Sequence, residues 1–296
     1  MPKSSRMLVT GASGFLGGHL CRLARKEWEV FGTYNLHLEM PAGVAKAQID
    51  LRDRKALLGA IKEIKPAVII HAAALQTDDC ERHPELAQQV NIDSTLHITE
   101  WAAKNNCRIV YVSSDMVFDG SRGMYNEDDG TEPVNEYGRT KMVAERVVQE
   151  FCENSVIVRL PLLYGFPTAG GTCFMATMLG KLNRNQTVQA YFDQFRTPGL
   201  VQNMAEALLE IAASDFTRTL HIAGITRVSR EELARQSAQY AGLDLNLLQA
   251  VSMHDHAMAA ARPTDVSLDT TKASSLLRTP LLDLESGLKR MFTEVN

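Results

Sequence analysis

A doubly wound α/β fold, a parallel sheet with a smaller α/β portion toward the C-terminus, is predicted by three observations on this sequence. Strand-like apolar runs alternate with helical stretches through the first half of the chain. One of those runs, P-A-V-I-I-H-A-A-A at residues 66–74, is apolar almost without interruption, as in a strand covered on both faces. A glycine turn, T-G-A-S-G-F-L-G, joins the first run directly to the first helix. Parallel neighbours need crossover connections, and helices on both faces of the sheet supply them, so the three features together describe a Rossmann-type architecture.

Residues 6–10 make a short apolar strand, and a helix follows over about residues 15–26 once the glycines have turned the chain. Residues 29–34 form the second strand, A-Q-I-D-L-R-D closes the third, and a helix spans about residues 54–64. After the run at 66–74, one long helix is expected over about residues 84–104. The strand at 108–113, the helix carrying N-E-Y-G-R-T-K, and a strand at 155–160 come next. Beyond Tyr164-Gly165 the texture changes to a glycine-rich loop, T-A-G-G-T-C-F. Helices are expected at 174–182 and 203–213, a strand at 219–224, and a helix opened by the capping-box-like S-R-E-E-L at Ser229.

The chain has 296 residues, 45% hydrophobic and 22% charged, which suffices for a large core in one or two domains. A formal charge of -4 and a pI near 6.1 provide no basic field for nucleic acid or an anionic membrane, so an anionic ligand must be held by local groups. The five cysteines are scattered without a C-x-x-C pair or a Cys/His metal spacing. No apolar run has the length of a signal peptide or a membrane span. A cytoplasmic protein with reduced thiols is expected, with neither nucleic acid nor membrane as partner.

Gly11, Gly14 and Gly17 are spaced G-x-x-G-x-x-G between strand and helix. Glycines there let the backbone approach a pyrophosphate, whose charge the helix N-terminus favours. The competing reading is a purely structural turn; the strand-helix context and the position near the start of the chain favour a dinucleotide. Gly11, Ser13, Gly14, Phe15, Leu16 and Gly17 are the positions expected to hold it. The second strand ends in G-T-Y-N-L-H, with neither an acid for a ribose diol nor an arginine for a 2′-phosphate, so the choice between NADP and NAD is open. Asp50 either accepts from an adenine amino group or caps the helix that follows.

Tyr137 and Lys141 lie four residues apart on a predicted helix and therefore on one face of it. A phenol with a reference pKa of about 10 needs a cation beside it to exchange protons at neutral pH, and Lys141 supplies one. A serine at the end of the strand at 108–113 would complete a site for proton transfer at a carbinol oxygen. An isolated Tyr-x-x-x-Lys is more often a solvated helix face; here the upstream glycine turn points to chemistry.

T-G-A-S-G-F-L-G, D-L, H-A-A-A, V-N at Val90-Asn91, S-S-D and Y-G-R-T-K occur in the order of the extended short-chain dehydrogenase/reductase family, which the chain resembles. Within it the chain is similar to the dTDP-4-dehydrorhamnose reductase branch, through S-S-D-M-V-F-D-G and P-V-N-E-Y-G-R-T-K. The likeness continues in D-Q-F-R-T-P at 193–198 and A-R-P-T-D-V-S-L-D at 261–269. The resemblance implies hydride delivery from NADPH or NADH to the 4-keto group of a nucleotide sugar. In that reading Ser114 is the catalytic hydroxyl, Tyr137 the general acid, and Lys141 the holder of the nicotinamide ribose. It further implies cofactor contacts at Asp50, Leu51, Ala73, Ala74, Leu75 and Asn91, and substrate contacts at Ser114, Asp115 and Arg262. Arg262 stays open between a diphosphate contact and a structural ion pair. The implied division is an NAD(P)-binding domain of residues 1–164 plus about 200–225 and a substrate-binding cap of about 165–199 plus 226–296. A homodimer is left open.

Three positions depart from the branch: Met116 stands where it usually has tyrosine, Leu162 where similar bacterial reductases carry tryptophan, and His19 where some relatives carry a glutamate implicated in metal binding. No metal is expected. R-L-P-L-L-Y-G also resembles the methionine adenosyltransferase regulatory β subunit, which implies NADP binding and a partner enzyme with little turnover. A sugar-nucleotide epimerase that recycles tightly held NAD is a third possibility. Elsewhere, His71 is expected to be packed or beside the cofactor, His254 and His256 solvated, and Met175, Met178 and Met204 core or pocket wall.

Overall fold

A computed structural model of the chain describes residues 5–36, 39–168 and 171–293. The first four residues, His37 of G-T-Y-N-L-H and Ala169-Gly170 of the glycine-rich loop lie outside the described residues. β1 (Arg6–Thr10) passes through the glycine turn into α1 (Phe15–Ala24), and β2 (Glu29–Tyr34), β3 (Ala45–Gln48) and α2 (Arg54–Ile64) follow. Next come β4 (Val68–His71), α3 (Thr77–Arg82), α4 (Pro84–Ala87), a π-helical turn (Gln88–Asp93) and α5 (Ser94–Lys104). β5 (Arg108–Ser114), α6 (Glu136–Phe151) and β6 (Ser155–Leu160) complete the first half. The remainder consists of β7 (Leu163–Tyr164), α7 (Phe174–Leu182), β8 (Val188–Tyr191), β9 (Phe195–Arg196), β10 (Gly199–Leu200) and α8 (Val201–Ala212). β11 (Arg218–His221), β12 (Val228–Ser229), α9 (Arg230–Tyr240), β13 (Leu248–Val251), α10 (Thr271–Leu276) and α11 (Leu284–Thr293) end it.

Seven strands form one sheet in the order β11-β6-β5-β4-β1-β2-β3, and every neighbouring pair is parallel. The order reverses between β1 and β4, which opens a crevice at the C-terminal ends of those two strands, the usual ligand position in such sheets. Both faces are covered. Val9, Ile70, Val110 and Val158 pack toward α1 and α8, while Leu8, Ile69, Ile109 and Ile157 pack toward α2, α5 and α6. Successive residues thus enter opposite cores, which is why these strands read as continuous apolar runs. Each such fully buried side chain contributes roughly 1.5–3 kcal/mol relative to exposure. A third core gathers Tyr164, Met175, Met178, Leu233, Leu284 and Leu288 around the paired strands β8 and β13, and Met204 joins the core under α8. Ser229 and Glu232 form the reciprocal capping box at the start of α9. No helix among the described residues is long and apolar enough to cross a membrane.

Two expectations change. The helix predicted over 84–104 runs without a gap from Pro84 to Lys104, but a π-helical turn is inserted between a short α4 and α5. The extra residue of a π turn swings a side chain inward. Here that side chain is Asn91, buried against the segment after β4. The run at 66–74 leaves the sheet at His71 because the amides of Ala72 and Ala73 both donate to Thr10 Oγ1 at 3.1 Å instead of extending the ladder.

Candidate active site

The glycine turn lies at the crevice. A β-carbon on Gly17 would stand 2.1 Å from the Gly11 carbonyl oxygen, so only glycine lets α1 start this close beneath the turn. Gly14 occupies the N-cap without a side-chain hydrogen bond, and the first turn of α1 carries no acid. The first-turn amides form the positive end of the helix, which favours an anion, and Gly171 of the glycine-rich loop approaches one of them, since a β-carbon there would stand 2.8 Å from the Phe15 nitrogen.

Thr10 couples this turn to the one after β4. Its hydroxyl oxygen accepts both amides, so its single proton goes to His71 Nδ1 at 2.6 Å. His71 Nε2 then donates to Thr95 Oγ1 at 3.0 Å, and Thr95 donates to the Asn91 carbonyl at 2.7 Å. Burial, and next the charge of Lys141, push the His71 pKa down to about 3, so this imidazole is neutral and serves as a bracket. Asn91 Oδ1 accepts from the Leu75 amide at 2.7 Å and its Nδ2 donates to Thr140 Oγ1 at 3.0 Å. Asn91 thus holds the Ala73–Leu75 segment against α6.

Ser114 ends β5, where its oxygen caps the short turn Asp115–Val117 by accepting from the Met116 amide at 3.2 Å. Tyr137 and Lys141 project from α6, whose N-cap Asn135 accepts from the Gly138 amide at 2.9 Å and donates to the Ala261 carbonyl at 2.8 Å. A β-carbon on Gly138 would stand 2.1 Å from the Met116 carbonyl oxygen, so glycine after Tyr137 is what lets this helix lie on the Ser114 turn. Burial raises the Tyr137 pKa, the charge of Asp115 raises it further, and a hydrogen bond with the Ser114 side chain opposes both. The buried Lys141 ammonium sits 4.4 Å above the centre of the Tyr111 ring. Burial pushes its pKa down to about 8, against the upward pull of Glu145 one turn away.

A cationic cluster adjoins this triad. Asp115 meets Arg196 Nε at 3.5 Å, and Arg196 Nη2 donates to the Met116 sulfur at 3.1 Å. Arg196 Nη1 and Arg230 Nε, both buried, have no hydrogen-bond partner among the described residues. The Arg230 guanidinium stacks 3.9 Å over the Phe174 ring; burial, then the charges of Arg196 and Arg262, push its pKa down to about 10. Phe174 also lines a cavity of about 510 Å³ together with Met178, Gln189, Tyr191 and Gln249. Arg262 reaches Asp78 at 2.6 Å, so it carries the structural ion pair weighed for it in the sequence while remaining in the field of Arg196 and Arg230.

Asp50 caps nothing. The cap of α2 is Asp53, which accepts from the Ala56 amide at 2.9 Å, whereas Asp50 is engaged by the Arg52 guanidinium and amide, and that pairing lowers its pKa. Leu51 is buried beside it. His19 Nε2 bonds the Phe166 carbonyl at 2.9 Å, tying α1 to the loop after β7. Leu162 packs on the third core. No three His, Cys, Asp or Glu side chains among the described residues gather as a metal site. Arg196 and Arg230 belong to D-Q-F-R-T-P and S-R-E-E-L, and neither segment marks its arginine as a site residue: the first is a motif with no stated role for it and the second a helix start.

The RmlD substrate binding domain model matches residues 5–296. The chain is 30% identical over 286 residues to a probable low-salt glycan biosynthesis reductase, Agl14, of Haloferax volcanii, covering 95% of each chain. It is also 30% identical over 283 residues to the methionine adenosyltransferase 2 subunit beta of Bos taurus, covering 92% of this chain and 82% of that one. Among solved structures, a dTDP-4-dehydrorhamnose reductase from Bacillus anthracis in complex with NADP superposes with a TM-score of 0.87 at 26% identity, covering 98% and 99% of the two chains.

Proposed function

Because the chain belongs to the RmlD substrate binding domain family, we propose that it is an NAD(P)H-dependent oxidoreductase that reduces a nucleotide-activated 4-keto sugar, as a dTDP-4-dehydrorhamnose reductase does. The observation that carries the reading is the convergence of Ser114, Tyr137 and Lys141 beside an uncapped helix N-terminus at the switch point of the sheet. The glycine cradle fits a dinucleotide pyrophosphate, with Gly11, Ser13, Gly14, Phe15, Leu16 and Gly17 around it and Ala73, Ala74 and Leu75 on the facing turn. Asp50 and Leu51 lie on the adenine side, and NADP or NAD, when bound, supplies the hydride. Tyr137 gives its phenolic proton to the carbonyl oxygen of the sugar. Its raised pKa keeps that proton in place until reaction, and Ser114 orients the accepting oxygen. Lys141 holds the ribose and stabilises the phenolate as it forms.

Asp115, Arg196, Arg230 and Arg262 form the substrate side of the site. The unpartnered N–H groups of Arg196 and Arg230 suit the diphosphate of a nucleotide sugar, and the cavity beside Phe174 suits its base. The same reading assigns residues 1–164 plus about 200–225 to cofactor binding and about 165–199 plus 226–296 to the substrate cap.

The deciding experiment follows NADPH and NADH absorbance with a panel of 4-keto nucleotide sugars. Cofactor loss with one of them is the expected result. Tight cofactor binding with no turnover on any of them would instead favour a regulatory role like that of the methionine adenosyltransferase relative. Arg230→Met, which keeps the stem over Phe174 and removes the charge, should raise KM for the nucleotide sugar roughly 10- to 100-fold, the cost of a charged hydrogen bond. Cofactor affinity should not change. An unaltered KM would remove Arg230 from the substrate side.

A further inference from the structure

Glu145 lies one turn beyond Lys141 on α6 and is 4% exposed. Ser113 Oγ donates to its Oε1 at 2.5 Å, Arg159 Nε donates to Oε1 at 3.0 Å, and Arg159 Nη2 donates to Oε2 at 2.8 Å. Ser113 immediately precedes Ser114 on β5, and Arg159 belongs to β6. Apart from the Tyr137–Ser114 contact of the site itself, the side-chain hydrogen bonds that join α6 to β5 and β6 among the described residues end on this carboxylate. It therefore fastens the helix that carries Tyr137 and Lys141 to the strand that carries Ser114.

The charges around Lys141 single out the same residue. Tyr111 of β5, His71 of β4, Cys80 of α3 and Glu145 of α6 face or surround the ammonium, and Tyr137 lies one turn before it on α6 beside Tyr111. Burial and the Lys141 charge hold His71 neutral, while burial raises the Tyr111 phenol and pushes the Cys80 thiol up to about 11. Glu145 is then the formal anion of that set. Behind it, Arg159 donates to His221 Nε2 at 3.3 Å, and His221, neutral because burial and the Arg159 charge push its pKa down to about 3, donates from Nδ1 to the Tyr125 carbonyl at 3.0 Å.

We propose that Glu145 is a positioning residue of the site, which fixes α6 against the end of β5 and keeps the Lys141 ammonium charged in its buried seat. The inference rests on the reading of Lys141 as the cation that holds the cofactor ribose, and its test uses cofactor binding, which can be read whether or not the protein turns over. NADPH affinity is measured by fluorescence titration from pH 6 to pH 9 for the wild type, Glu145→Gln, the double variant Glu145→Gln/Arg159→Met, and Ser113→Ala.

The protonated amine is the binding form, so affinity is full below the Lys141 pKa and falls as pH rises through it. Loss of the Glu145 charge should move that fall to lower pH by about one unit. At pH 8 this weakens binding several-fold, while binding at pH 6 is unchanged. Glu145→Gln leaves Arg159 buried without its anion and turns one acceptor into a donor that faces Nη2, so this variant should lose stability; the double variant removes both charges and keeps the core neutral. It should fold and still show the displaced profile. Ser113→Ala, which removes a hydrogen bond and no charge, should keep the wild-type profile. A wild-type profile in the double variant overturns the proposal, as does the same displacement in Ser113→Ala.

Discussion

Tyr137→Phe should lower turnover by about 10³-fold, within the range associated with a positioned general acid, and leave NADPH affinity within a factor of about three. The ring stays in its slot on α6 and only the O–H is lost, so packing cannot account for the effect. On the proposed reading, the surroundings of the phenol also set the direction of its proton transfer. Burial and the Asp115 charge both raise its pKa, so Tyr137 enters the reaction protonated, as carbonyl reduction requires. Lys141 is then needed after the proton leaves, when a phenolate has to be stabilised in a buried place. Absorbance of NADPH at saturating sugar nucleotide and fluorescence titration of the cofactor separate the two quantities. A Phe variant that keeps a tenth of the wild-type rate would show that the proton comes from elsewhere, with the Ser114 hydroxyl, held by Asp115, as the next candidate.

What could be read from the sequence were features whose cause is local. A strand followed by glycines and a helix must turn where Gly11, Gly14 and Gly17 place the turn, and Tyr137 and Lys141 share a face because the helix repeats every 3.6 residues. The alternation of strands and helices fixed a parallel sheet, since a parallel pair has no shorter connection. The site features that escaped depend on partners distant in the chain. Met116 and Arg196 meet across 80 residues, and nothing near either one announces an arginine with a free N–H beside the catalytic turn. The resemblance assigns Asn91 to the cofactor side, and the bonds that hold it there to Leu75 and Thr140 depend on a π turn that no apolar periodicity encodes. Asp50 illustrates the opposite limit: its partner Arg52 is two residues away, yet Asp53, which is equally suited to capping, took the helix. Propensity names the residue types that can cap and leaves the choice among neighbours to geometry.

The Gly17→Ala variant should lose both stability and cofactor, which separates it from any variant of the chemistry. The added β-carbon would stand 2.1 Å from the Gly11 carbonyl oxygen and 2.8 Å from the Ala12 Cα, and both are backbone atoms of the turn itself. No side-chain rotation can relieve such a contact, so either α1 withdraws from the crevice or the turn opens. A cost of about 2–4 kcal/mol is expected, equivalent to a melting temperature lowered by about 4–10 °C for a chain of this size. NADPH affinity should fall by more than about 30-fold, because the amides that face the pyrophosphate move with the helix. Gly59→Ala provides the control. It lies inside α2, where an added β-carbon meets nothing within 4 Å, and it should stabilise the protein by roughly 0.5–1 kcal/mol through helix propensity alone. Opposite signs at the two positions would show that the demand for glycine at the crevice is steric. Equal melting temperatures and unchanged NADPH binding in Gly17→Ala would mean that the turn tolerates a side chain and that the cradle does not fix the cofactor.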